Sequence, residues 1–305
     1  MPITDHPAVR AFLHRHADSR PAESRLAVFD CDYTLIQGDI GEAVFYKQIR
    51  EFLFRRSPAE VWPDHPRRKE IDRLFRTLST LPAQERASHP AFVQFADLLL
   101  SWYFDQLAAG SVEKGCTDIV RLFAGFTRAE VHAIADATFE DELATAPGSV
   151  RLGTRSVPCG IRYIRESIEL ARALTPLGFS LWSISGSSKW SVEPVLRPLG
   201  VPRTQVIGID LVETGGVFSI EAENPIPIRR GKVEALRQQT GTLPLLCASD
   251  SRNDIPLFLE ARELRVYLNT HGRETGAFFA SAGVTRDESW VVVDRPTVLE
   301  EPSHG

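Results

Sequence analysis

Apolar positions follow two different rhythms along this chain. From Arg25 to Asp30 (RLAVFD) a short continuous apolar run stops at a carboxylate, and the same texture returns at Phe179–Ser185, Gln205–Asp210 and Leu243–Asp250, with a further run at Leu264–Leu268. Uninterrupted runs of this length are how strands covered on both faces read. Between them, Ile161–Leu177 and Lys232–Gln239 carry apolar residues at helical spacing. Strand alternating with helix predicts an α/β fold: a Rossmann-like parallel sheet with right-handed crossovers. Leu211–Glu213 and Val217–Ile220, parted by Thr214-Gly215-Gly216, predict a β-hairpin.

The second rhythm fills residues 41–155. Glu42–Phe54, Arg67–Leu78, Pro90–Ala109 and Arg128–Phe139 all have helical spacing, punctuated by Pro58, Pro63, Pro66, Pro82 and Pro147, and no strand pattern stands out. This predicts an all-α domain over 41–155 inserted into a core made of 1–40 and 156–305. Two crossings of the chain would join the two parts and act as a hinge.

Composition narrows the function. At 305 residues with 43% hydrophobic and 25% charged positions the chain has the make-up of a globular protein with a sizeable core. A net charge of -5 gives no general attraction to nucleic acid or to an anionic membrane, so an anionic substrate must be captured by a local site. The opening MPITDHPAVRAFLHRHADSR lacks the apolar stretch of a secretory signal, and no run of about 18 apolar residues exists to span a bilayer. Cys31, Cys116, Cys159 and Cys247 form no CxxC pair and read as reduced thiols of a cytoplasmic protein. The sequence sets no oligomeric state and assigns no role to the acidic tail Asp287–Gly305.

Chemistry concentrates where the apolar runs end. FDCDYTL puts Asp30 at the tip of the first strand and Asp32 two residues on. Ligands of open parallel sheets bind at the carboxyl ends of strands, and paired carboxylates offer a nucleophile with an acid/base beside it. A plain polar turn is the competing reading. Ser185, followed by Gly186 and two more serines, could cradle an anion or simply cap a helix. Lys232 follows Arg229-Arg230-Gly231 at a helix start, where a solvated basic cluster is the ordinary reading. Asp250 closes the fourth run, with Asn253 and Asp254 just beyond; oxygen donors of this kind suit Mg²⁺. Together these acids would crowd one crevice, a conflict that a dication, a lysine and an incoming phosphate would resolve.

Taken in order, Asp30-x-Asp32-x-Thr34, Ser185, Lys232 and Asp250 with Asn253-Asp254 resemble the four motifs of the haloacid dehalogenase-like (HAD) superfamily of phosphohydrolases. The helical insert resembles that family's type 1 cap, and GIRYIRESIELARALTPLGFSLWSISGSS with the later hairpin is most similar to the phosphoserine phosphatase branch. The resemblance implies a Mg²⁺-dependent phosphatase with Asp30 as nucleophile and Asp32 as acid and base. Thr34, Ser185, Gly186 and Lys232 would hold the phosphate, and Mg²⁺ would rest on Asp30, the Asp32 carbonyl and Asp250. Asn253 and Asp254 would support the loop. The fourth motif departs from the family: Ser249-Asp250-Ser251 stands where Gly-Asp-Gly is usual, which puts the metal loop in question.

The resemblance also implies a small phosphorylated metabolite as partner. Asp39, or Glu42 a turn later, would meet a substrate amine, although Glu42 reads equally as a first-turn helix acid. A substrate carboxylate would need an arginine from the cap, with Arg50, Arg55, Arg56, Arg67 and Arg68 as candidates. Choline would instead want aromatic faces, such as Trp62, Trp102, Tyr103 and Phe104. Phosphoserine and phosphocholine both stay open here, as do a phosphotransferase and a catalytically idle binding protein.

Overall fold

The computed structural model describes residues 2–17 and 25–299. Residues 1, 18–24 and 300–305 of the expected core therefore lie outside the described residues. Six parallel strands form one sheet in the spatial order Trp290–Asp294, Leu264–Asn269, Leu246–Ser249, Leu26–Phe29, Ser180–Ser188, Val206–Ile209. Leu26–Phe29 sits in the middle with all four side chains buried, as its unbroken apolar run requires.

The order in which strands join fixes where a ligand can go. After Leu26–Phe29 the chain lays Ser180–Ser188 on one side, and only later places Leu246–Ser249 on the other. That reversal opens a crevice at the carboxyl ends of the central strands. Phe29 pairs with Ser183 on one flank and Ala248 on the other, and the Asp30 amide donates to the Ala248 carbonyl at 2.9 Å. Asp30 and the residues after Ser249 thus leave the sheet at one level.

The edge strand Trp290–Asp294 lies inside the acidic tail to which the sequence assigned no role. Its apolar run WVVV is short, and acids flank it, so charge masked the strand. Trp290 is buried against Phe258, 5.0 Å between ring centroids.

Helices Ile40–Glu51, Arg68–Ser79, Pro90–Ala108 and Arg128–Ala144 fall where periodicity placed them. Local chemistry starts two of them. The Asp39 side chain caps the first, and Thr127 with Glu130 forms a reciprocal capping box on the last. A further helix, Val112–Arg121, was not expected; Gly115 and Thr117 weaken its sequence signal. Gly115 is there because a Cβ would stand only 3.2 Å from the Gln106 side chain of the preceding helix.

Two features of the insert were not foreseen from its sequence. Gly148–Leu152 and Arg155–Cys159 pair as an antiparallel hairpin where no strand was expected, and the boundary drawn at Ser156 falls inside it. Most of its side chains are exposed, so no apolar alternation marked it. The join to the core is also broader than two chain crossings. The insert's apolar interior runs on into Trp190, Leu211, Phe218 and Ile228 of the core. Trp190 packs 4.3 Å from Phe218 and 5.8 Å from Phe123. Backbone bonds from Gly125 to the Phe218 carbonyl (2.8 Å) and from Phe218 to the Phe126 carbonyl (2.9 Å) stitch the same seam. Among the described residues no helix is long and apolar enough to cross a membrane.

Candidate active site

At the carboxyl ends of the strands lies a cavity of about 310 Å³ between the sheet and the helical insert. Asp30, Asp32, Asp39, Glu42 and Asp250 line it, five carboxylates gathered from three stretches of chain. Ser185, Gly186, Lys232 and Asn253 line it as well.

Lys232 is the hub. It is 4% exposed, and its Nζ lies 2.9 Å from Asp30 Oδ1 and 2.7 and 2.8 Å from the two oxygens of Asp254. Gly231 makes this approach possible, because a Cβ there would overlap the Ile226 carbonyl oxygen. Burial pulls the Lys232 ammonium towards the neutral form, but Asp254 and Asp30 outweigh it and hold the charge on. Burial pushes the Asp30 carboxyl well above its usual range; Lys232 opposes this, while Asp254, Asp250 and Asp32 add to it.

Asp32 is gripped differently. Its Oδ1 accepts from the Ile40 amide at 2.8 Å, and its Oδ2 accepts from the hydroxyls of Ser185 (2.9 Å) and Ser187 (2.7 Å). Burial raises this carboxyl too, and the bonds from Ile40, Ser187 and Ser185 restrain the rise. Gly41 is needed here: a Cβ would strike the Ser187 hydroxyl. The loop just after the two acids is bent sharply, with Tyr33 at φ +55°, a backbone region that costs a non-glycine residue about 1 kcal/mol.

Thr34, expected to hold phosphate, is not among the residues that line the cavity. It is fully buried, and its hydroxyl accepts from the Asp250 amide at 3.0 Å and lies 3.4 Å from Asp250 Oδ1. It fastens the first acidic loop to the last. Ser249 and Ser251, where the resemblance implied glycines, also have defined work. Ser249 donates to Asp254 Oδ2 at 2.6 Å and accepts from the Ser251 amide at 3.1 Å, while the Ser251 hydroxyl accepts from the Asn253 amide at 3.1 Å. The loop is therefore hydrogen-bonded shut rather than loosened.

Among the described residues no three His, Cys, Asp or Glu side chains already converge as a metal cage. Asp30 and Asp250 nevertheless fit a hard cation that keeps much of its water, since both are oxygen donors in a pocket with surplus negative charge. Burial raises the Asp250 carboxyl, His271 pulls it back, and Asp254 adds to the rise.

Towards the insert, Asp39 and Glu42 face the same cavity. The Asp39 carboxyl is pushed well above its usual range by burial and then by Asp32 and Glu42. Glu42 accepts from the hydroxyls of Tyr46 (2.6 Å) and Tyr103 (3.1 Å), tying two helices of the insert together. None of the five expected cap arginines lines the cavity. Arg55 pairs with Glu130 and Arg67 with Glu70. Of the four aromatics considered as a choline cage, only Tyr103 reaches the cavity; Trp62 is buried, donating to the Asp118 carbonyl at 2.7 Å.

Ser187, His271 and Arg273 line the cavity and were missed from sequence. Ser187 stood two residues beyond a residue already chosen. His271 and Arg273 follow the strand Leu264–Asn269, so the same rule about strand tips, applied to that strand, would have found them.

A model of the haloacid dehalogenase-like hydrolase family matches residues 27–259. No curated protein sequence is significantly similar to the chain. Similar solved structures include a conserved protein of unknown function from Anaerococcus prevotii DSM 20548, at 16% identity and TM-score 0.68, covering 86% of this chain and 85% of that one. A second, of unknown function from Bordetella pertussis Tohama I, has 17% identity and TM-score 0.52 over 90% of this chain and 100% of its own. A phosphoserine phosphohydrolase-like protein from Francisella tularensis subsp. tularensis SCHU S4 has 15% identity and TM-score 0.42, covering 80% and 87%. At these identities the likeness to the first two is one of fold.

Proposed function

The chain belongs to the haloacid dehalogenase-like hydrolases, and from that premise we propose that it is a magnesium-dependent phosphatase acting on a small phosphate monoester, with phosphoserine as substrate, in the cytoplasm. The observation that carries the proposal is the Asp30–Lys232–Asp254 arrangement beside Asp32 and Asp250 in one cavity. A carboxylate held 2.9 Å from an ammonium is positioned as a nucleophile for phosphorus, and Asp32, whose carboxyl burial raises, is positioned as a proton donor.

In this mechanism an Asp30 oxygen attacks phosphorus and the bond to the ester oxygen breaks. Asp32 gives its proton to the departing oxygen. A water then attacks phosphorus of the aspartyl phosphate, Asp32 takes the proton back, and phosphate leaves. The two serine hydroxyls and the Ile40 amide hold the Asp32 carboxyl in place for both transfers. Lys232 neutralises charge on Asp30 and on the phosphoryl group. Asp30 and Asp250 would hold the magnesium, which supplies further charge neutralisation at the phosphoryl oxygens. Asp39 and Glu42 offer a substrate ammonium two carboxylates, with lone pairs left over from the bonds Glu42 already accepts.

Asp30→Asn tests the proposal. The variant should release no phosphate from p-nitrophenyl phosphate while keeping the wild-type circular dichroism spectrum, and chelation should silence the wild type until magnesium returns. Wild-type turnover in the variant would end the reading.

A further inference from the structure

A second cavity, of about 200 Å³, adjoins the catalytic one at the junction of core and insert. On one side runs Ile36–Gln37, paired with Arg162–Tyr163, and on the other the hairpin Gly148–Leu152 with Arg155–Cys159. Tyr33 and Asp39 line both cavities and form the partition between them. Close packing sets the far wall. At Gly160, with φ +83°, a Cβ would stand 2.5 Å from the Pro147 backbone, so the two ends of the hairpin meet main chain to main chain.

Glu142, in the last turn of the helix Arg128–Ala144, lines this cavity and takes no part in the chemistry above. It is only 9% exposed. Its Oε2 accepts from the Gly160 amide at 2.6 Å. Among the described residues its Oε1 has no donor and the carboxylate has no cation. A buried charge ordinarily has a partner of opposite sign. Asp39 brings a second carboxylate, and the described residues lining the cavity include no Lys, Arg or His. Much of the remaining wall is carbon, from the rings of Tyr33 and Tyr46 and from Pro158 and Ile161.

We propose that this junction cavity is a binding site for a small organic ammonium ion, which donates to Glu142 Oε1 and lays its carbon body among the tyrosine and proline rings. An anion would meet two carboxylates and no counter-charge. A hard dication gathers about six oxygen ligands, more than two carboxylates among rings supply. An alkylammonium asks for less, and the faces of Tyr33 and Tyr46 attract its charge as well. The site is distinct from the substrate's, since Glu142 and Cys159 line this cavity and not the catalytic one. Its occupant would still be felt there, because Tyr46 donates to Glu42 at 2.6 Å and Glu42 faces the catalytic cavity.

Two partly exposed thiols make the two cavities separately readable. Cys159 lines the junction cavity and Cys116 the catalytic one, while Cys31 and Cys247 are buried. Alkylation by iodoacetamide, followed by peptide mass mapping, gives a rate for each. The chloride salt of n-butylamine at about 10 mM, a concentration suited to so small a ligand, should slow alkylation of Cys159 roughly fivefold. The same concentration of 1-butanol with sodium chloride, alike in shape and ionic strength but uncharged, should not. Glu142→Gln keeps the acceptor for the Gly160 amide and removes the charge, so protection of Cys159 should disappear. Should that variant fail to fold, the wild-type contrast between amine and alcohol decides alone. Equal protection by amine and alcohol, protection of Cys116 without Cys159, or full protection in a folded Glu142→Gln overturns the proposal. A Cys159 that iodoacetamide does not reach in the free protein also overturns it, because the cavity is then closed to ligands. None of these outcomes bears on the phosphatase reading, which p-nitrophenyl phosphate tests separately.

Discussion

Replacing Lys232 with methionine removes one ammonium and little volume, and the structure sets the size of the consequence. Nζ is shared by Asp30 and Asp254, and all three groups are buried. Removing one partner of a buried ion pair costs about 3–5 kcal/mol. Here a single cation serves two carboxylates, so the expected loss is towards the upper end, about 5 kcal/mol near neutral pH. That is a large share of the roughly 5–15 kcal/mol that holds a domain folded. The loss should shrink in acid. Asp30 is already raised by burial and would lose the cation that opposes the rise. The folded variant then binds more protons than its unfolded chain, so its stability falls as pH rises through the range above the unfolded carboxyl pKa. Urea unfolding followed by circular dichroism at about pH 5 and about pH 8 reads both effects, and phosphate release should be abolished at each. Lys232→Met combined with Asp254→Asn relieves one of the stranded charges and should recover about 2 kcal/mol of stability without activity. Equal stability of the single variant and wild type at both pH values would refute the reasoning, as would a double variant no more stable than the single one.

Other consequences can be checked as directly. Asp32→Asn should slow hydrolysis of alkyl phosphates by about 10²–10⁴. The loss should be smaller for p-nitrophenyl phosphate, whose leaving oxygen needs no proton; equal losses would remove Asp32 as the acid. Gly41→Val drives a side chain into the Ser187 hydroxyl that holds Asp32, and should cost about 1–3 kcal/mol in unfolding measurements together with a fall in kcat. An unchanged kcat would mean the serine grip is dispensable. Glu193, beside His132 (3.1 Å) and Arg203 (3.3 Å), is pushed up from 4.5 to about 7 by burial. The folded state keeps that proton longer, so this group's contribution to stability declines between those two values. Glu193→Gln should flatten the slope of melting temperature against pH over that window, and an unaltered slope would contradict it.

The sequence by itself determined the sheet's central strands and the acids at their tips. Those strands are carried by buried residues such as Leu26–Phe29, Leu181, Ile184 and Leu246–Ala248, which have no stable place except between two layers, and the polar residues that bear chemistry gather at their ends. Asp30, Asp32, Ser185 and Asp250 were legible for that reason. The edge strand Trp290–Asp294 and the hairpin Gly148–Leu152 with Arg155–Cys159 were not, because exposed or acid-flanked strands carry little apolar signal. Roles that depend on who meets whom were also beyond it. That the Thr34 hydroxyl meets Asp250, over two hundred positions away in the chain, is decided by the fold alone. Ser249 looks like a lost glycine until Asp254 turns back to it. Arg273 looks like any surface arginine until Asn269 and the Tyr33 turn hold its segment at the cavity. Periodicity records what each residue wants from solvent, and only the packing of distant segments decides which partner answers.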